Sequence, residues 1–187
     1  MFAEIFSLVL DTVSSLYLMI ILLRFIFQLS RADFYNPISQ FVVKATNPLL
    51  IPLRRIVPGI GGIDTASIVL VLLFQMLVIS LKLLLLGGGL ANPLFLLALS
   101  TVMILDLVLK IYFWSLIIMI VASWIAPGSG NPALMLINQI VEPIMQPFRK
   151  VLPPMGGLDL SPIFAFLVIQ ILDIVVKGLH GQVLALA

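Results

Sequence analysis

Two basic pairs hold much of the charge that this chain can turn to chemistry. Arg54-Arg55 sits among Pro48, Pro52 and Pro58 and is followed by Gly61-Gly62 and Asp64, and 95 residues later the frame returns as Arg149-Lys150 among Pro143, Pro147 and Pro153, followed by Gly156-Gly157 and Asp159. Asn36-Pro37 opens the first frame and Asn131-Pro132 the second, so N-P-x(10)-P-x(3)-P-x-R-[RK]-x(2)-P-x(2)-G-G-x-D is met twice without a gap. Prolines fix the backbone and leave the basic pair little freedom. A guanidinium so placed can pair with a carboxylate or take an anionic oxygen. No catalytic constellation accompanies it: the chain has no Cys and a single His, His180, and shows no nucleophile-base pair, no metal-ligand cluster and no phosphate-cradling loop. No enzyme activity, cofactor or metal site is expected, and no nucleic-acid partner.

A second set of polar residues keeps the same offset. Asp11, Tyr17, Gln75 and Lys82 have identical partners at Asp106, Tyr112, Gln170 and Lys177. Matches at the rarest residue classes of an apolar chain argue for tandem duplication rather than shared composition. All eight fall inside apolar stretches, where ionisable groups are costly and turn inward to pair. Counted from the ends near residues 30 and 65, Asp11 and Lys82 reach roughly 28 and 26 Å at 1.5 Å per residue. The expectation is that Asp11 and Asp106 meet Lys82 or Lys177 across helices, above a hydrogen-bonded Tyr–Gln layer. Asp106–Lys110 and Asp173–Lys177, spaced i,i+4, are the local alternatives.

These residues need a membrane scaffold to position them. The chain is 62% hydrophobic and 10% charged, with a mean hydropathy of +1.27, far from the soluble norm of about a quarter charged. Apolar stretches at 5–29, 65–86, 94–125 and 161–179 each approach or exceed the ~20 residues that cross a bilayer. The fold class is therefore all-α integral membrane, with four spans in two repeats, 1–92 and 93–187. The first stretch carries Glu4 and Asp11 rather than a basic leader, and reads as a retained span. Arg24, Arg31, Lys44, Arg54 and Arg55 cluster about the first loop and Arg149 and Lys150 lie in the second, whereas the connector at 87–93 is uncharged. The positive-inside rule then puts both loops in the cytoplasm and both termini outside. The repeats are hairpins of the same orientation, related by an axis along the membrane normal.

Within each loop, Asn-Pro reads as a helix start. Apolar residues at Ile38, Phe41, Val42 and Ala45, and at Ala133, Leu136, Ile137 and Ile140, have the spacing of one helical face. The helix should end before Pro48 and Pro143, which makes it about 16 Å long, too short to span, and places it in the interface. The basic pairs read either as topology determinants that meet anionic lipid headgroups or as placed charges that pair with Asp64 and Asp159 or with an anionic partner. Each Gly-Gly gives a tight turn, and the aspartate after it reads first as the N-cap of the next span.

The doubled motif resembles the YggT family of bacterial integral membrane proteins, and the two-copy form is similar to the enterobacterial type. Single-copy relatives, the YlmG proteins, occur in Gram-positive bacteria, cyanobacteria and plastids. The resemblance covers nearly the whole chain; it departs at Lys150, where the first copy has Arg55, and at Pro154, where it has Gly59. It implies the bacterial inner membrane and a link to tolerance of osmotic shock, with division, nucleoid distribution and cytochrome assembly among plastid and cyanobacterial relatives. Two functions are weighed: a non-catalytic factor that scaffolds or assembles membrane components through an unidentified membrane partner, and a small ion or solute permease, for example potassium-linked, acting as a homo-oligomer. Flux in proteoliposomes that depends on Asp106 and Lys177 discriminates them.

Overall fold

A computed structural model describes residues 2–89, 91–151 and 159–185. These residues form six helices: α1 (Phe2–Leu29), α2 (Pro37–Arg54), α3 (Thr65–Leu85), α4 (Pro93–Ile125), α5 (Pro132–Val151) and α6 (Ser161–Leu184). Four of them, α1, α3, α4 and α6, have 28, 21, 33 and 24 residues and are long and apolar enough to cross a membrane. The chain is a multi-pass membrane protein, and among the described residues the one β feature is a bridge between Ile60 and Ile63.

Local residue chemistry sets the helix ends. The side-chain oxygens of Asn36, Asn92 and Asn131 accept from the N–H two residues on, at Ile38, Leu94 and Ala133, each at 2.9 Å. A proline follows each asparagine, where its missing N–H costs nothing. At the other end of α1, Arg31 takes a left-handed φ of 52°, and the Ala32 N–H closes on the Phe27 carbonyl at 2.8 Å. That is the six-to-one bond of a Schellman turn.

The loop helices do not stop where the prolines suggest. α2 runs through Pro48 and Pro52, and α5 through Pro143 and Pro147, giving 18 and 20 residues. Within each helix the two prolines are four residues apart and exposed, so their rings share one side. The buried positions, Ser39, Val42, Thr46 and Leu50 in α2, lie on another. Carbonyls in the turn ahead of Pro48 gain donors from α1, since Arg24 Nη1 donates to Val43 O at 3.1 Å and Tyr17 OH to Ala45 O at 3.3 Å. These bonds brace α2, but α5 passes Pro143 with Met119 in the place of Arg24, so the local bias against helix before proline yields in both copies to the packing of the buried face.

Beyond α2 the chain reverses through Gly61 and Gly62, with φ of 60° and 81°. Ile60 and Ile63 exchange both backbone hydrogen bonds, at 3.3 and 3.0 Å. This is a two-residue hairpin loop of the type that needs positive φ at both central positions. The matching Pro153 and Gly156-Gly157 lie outside the described residues.

α1 packs chiefly on α3 and α4 on α6, while α3 against α4 joins the halves. Leu18, Ile21, Leu22 and Ile26 of α1 form one core with Leu70 and Val71 of α3 and Val42 and Leu50 of α2, and it reaches Ile111 of α4. Leu116, Val141, Met145, Ala165 and Ile169 form the core of the second half. Lipid is as apolar as these side chains, so close packing rather than escape from water holds such helices together. Small residues serve that end: Ala66, Ser67, Ser100, Ser161 and Ala165 are all buried.

Candidate functional site

In the first loop, Arg54 grips Asp64 with both prongs, Nη2 to Oδ2 at 2.5 Å and Nε to Oδ1 at 3.3 Å. Ser67 Oγ donates to the same Oδ2 at 2.6 Å. Asp64 occupies the N-cap position of α3 but makes no side-chain cap bond. The cap reading is corrected here, because a charged fork is the stronger claimant on a buried carboxylate. Burial pushes the Asp64 carboxyl up, yet the bonds to Arg54 and Ser67 and the charge of Arg54 outweigh it and leave the group below its ordinary value.

The second loop divides the same task differently. Arg149 Nε donates to Asp159 Oδ2 at 3.0 Å, and Nη1 to Glu142 at 2.7 Å. Asp159 also accepts from the Ser161 N–H at 2.9 Å, but it lies one residue ahead of Leu160, the N-cap position of α6, so the cap reading is corrected here too and the aspartate pairs with Arg149 while bracing the first residue of the helix. Burial raises its carboxyl, but the Ser161 and Arg149 bonds prevail and lower it. Burial lowers the Arg149 guanidinium, but Glu142 and Asp159 raise it above its ordinary value.

Arg24, set among the topology charges on sequence grounds, has a structural post. It is buried, and its Nη1 meets Thr46 Oγ1 at 2.5 Å and Asn47 Oδ1 at 2.8 Å as well as Val43 O. One helical turn on, Gln28 Nε2 holds Gly62 O at 3.1 Å, tying the glycine hairpin to α1. The signal for Arg24 was a lone cation inside an apolar span whose second-copy counterpart is Met119. Two bonds then join the loops to each other: Asn36 Nδ2 donates to Pro132 O and the Asp33 N–H to Gln139 Oε1, both at 2.8 Å.

The basic pairs therefore separate by role. Arg54 and Arg149 are engaged inside their loops. Arg55 and Lys150, together with Arg31 and Lys44, are exposed and take part in no ion pair among the described residues.

Deeper in the bundle, Lys82 Nζ pairs with Asp11 across α3 and α1 at 2.8 Å. The second copy pairs along single helices instead, Lys110 with Asp106 at 2.7 Å and Lys177 with Asp173 at 2.6 Å. The Tyr–Gln layer is corrected. Tyr17 faces α2, Gln75 donates to Met103 Sδ of α4 at 3.4 Å, Tyr112 packs in the core and Gln170 is exposed. Asp11, Lys82, Asp106, Lys110 and Lys177 converge with His180 on one cavity of about 570 Å³ between the repeats.

A duplicated bundle with this motif in both loops is matched twice by the CCB3/YggT family model, over residues 3–85 and 98–180. The chain belongs to that family. It is 57% identical over 169 residues to PA0392 of Pseudomonas aeruginosa, covering 90% of this chain and 86% of that one. Escherichia coli K12 YggT is 36% identical over 169 residues, covering 89% and 86%. The chloroplastic YlmG homolog protein 2 of Arabidopsis thaliana is 42% identical over 65 residues, which is 33% of this chain and 24% of that protein. No solved structure matches the chain.

Proposed function

We propose that this YggT-family protein is a non-catalytic inner-membrane factor that supports envelope homeostasis under osmotic stress by docking other membrane components on its basic loops. The carrying observation is the division of labour among the cations: Arg54 and Arg149 pair with carboxylates inside their loops, and Arg31, Lys44, Arg55 and Lys150 stay exposed with no ion pair among the described residues. Unpaired cations on preorganised loops suit an anionic partner surface, because less ordering entropy is lost on binding. In this reading each repeat is a hairpin with its loop helix in the interface. Both loops face the cytoplasm, where anionic headgroups lie within reach, and both termini face the periplasm.

Complementation of a deletion strain under osmotic upshift tests the docking role. The Arg55→Ala/Lys150→Ala variant is expected at normal membrane level but without complementation, together with loss of its crosslinked partner. Full complementation by that variant sinks the docking reading. Topology is checked by labelling Tyr35→Cys and Gly88→Cys, two exposed sites, in intact cells: only the Gly88 site should react with an impermeant maleimide.

A further inference from the structure

The cavity between the repeats has a charge balance that selects its occupant. Asp11 and Asp106 face Lys82, Lys110 and Lys177, and Asp173 holds Lys177. The lining thus holds two carboxylates, three ammonium groups and His180, and Asp173, beside the lining rather than in it, balances Lys177. None of the three pairs is sealed from solvent; the Lys82 and Asp11 side chains are 34% and 44% exposed, and Lys110 is 59% exposed. Lys82 lies in the last turn of α3, but Asp106, Lys110 and Lys177 stand inside α4 and α6, and part-exposed charges so placed in apolar spans need water or a polar ligand beside them. Ser14, Ser15 and Gln75 add neutral polar groups to the same walls. The volume lies within the ~300–1,000 Å³ range of small-molecule sites.

We propose that this cavity binds a zwitterion with an ammonium group and an anionic oxygen group, its ammonium received by Asp11 or Asp106 and its anion by the lysines. Neutrality is the selecting term. A lone cation or anion entering a balanced site surrounded by hydrocarbon leaves an uncompensated charge, which is costly at low dielectric. A zwitterion exchanges one internal pair for two new ones and leaves the sum unchanged. The same chemistry is presented by a phosphatidylethanolamine headgroup entering from the bilayer and by a free zwitterionic solute. The site does not depend on the docking role of the loops.

The full-length protein in maltoside detergent, examined by native mass spectrometry with dioleoyl phosphatidylethanolamine and dioleoyl phosphatidylglycerol, tests selectivity. Calorimetry with glycerophosphoethanolamine and with glycine, in phosphatidylglycerol nanodiscs, separates the sources. Preference for the zwitterionic lipid by about tenfold or more, with no solute heat, supports a lipid headgroup; saturable solute heat supports a free solute. Lys110→Met should shift preference toward ethanolamine, a cation, and Asp106→Asn toward glycerol phosphate, an anion. Lys177→Met repeats the first shift from another helix. Equal retention of both lipids without solute heat, or preferences unmoved by all three substitutions, overturns the proposal.

Discussion

The two repeats share a motif and solve the same problems with different partners. In the first, Arg24 of α1 reaches Thr46, Asn47 and the Val43 carbonyl of α2. In the second, the equivalent positions are Met119, Val141 and Glu142, and Glu142 turns to Arg149. The charges in the spans diverge likewise. Asp11 and Lys82 have no local partner, because Ser15 and Val78 stand where the second copy has Lys110 and Asp173. They pair across helices, while Asp106 and Lys177 pair with their own i,i+4 neighbours. A charge takes the nearest available partner, so two substitutions per copy convert an interhelical staple into local pairs.

The largest expected effect comes from removing the first repeat's own device. Arg24→Met removes three hydrogen bonds made by one buried guanidinium beside the Pro48 turn, and losing bonds to a charged group costs on the order of 3 kcal/mol. The melting temperature in detergent should fall accordingly. Adding Thr46→Val and Asn47→Glu transplants the second repeat's solution, giving Arg54 a carboxylate like that of Glu142, and should restore most of the loss. No recovery would show that the repeats are not interchangeable at this point.

The clasps come next. The Asp64 side chain is 5% exposed and that of Asp159 34%, so Asp64→Asn should cost about 2 kcal/mol and Asp159→Asn under about 1 kcal/mol. Both carboxyls are lowered in the fold. A lowered folded value means stabilisation that is present above the unfolded carboxylate range, near ~3.9, and is lost as pH falls through the folded values. Thermal melts of wild type from neutral to acid pH should lose stability only at the acid end, and the loss should shrink in Asp64→Asn. An unchanged acid limb in that variant would move the acid sensitivity elsewhere.

What was legible in the sequence was written locally. Four apolar runs, the 95-residue offset and the Asn-Pro starts depend on residue type and spacing, and each recurs among the six helices. The continuation of α2 and α5 through Pro48 and Pro143 was not legible, because the packing that outweighs the local bias before proline comes from a buried face set against other helices. The Tyr–Gln layer failed for a related reason: counting residues fixes depth but not azimuth, and Tyr17 and Gln75 look toward different neighbours. The paired role of Arg54, left open beside the cap, turned on whether the hairpin folds Asp64 back against α2, which the motif does not state.

The smallest effect, and the sharpest test of the comparison, is charge exchange in the spans. These pairs are part-exposed, and exposed pairs are worth up to about 1 kcal/mol. Lys82→Asp should therefore destabilise mainly by setting two carboxylates together, and Asp11→Lys added to it should restore stability, because the interhelical pair is rebuilt with reversed sign. In the second repeat Asp106→Lys should be rescued by Lys110→Asp and not by Lys177→Asp, since Lys177 is already held by Asp173 at 2.6 Å. Converting the first repeat to the second's pattern, with Ser15→Lys and Val78→Asp, should make each single charge reversal there milder, as local partners become available. Rescue of Asp106→Lys by Lys177→Asp would instead mean that both repeats staple across helices and that the observed difference is only one of two exchanging arrangements.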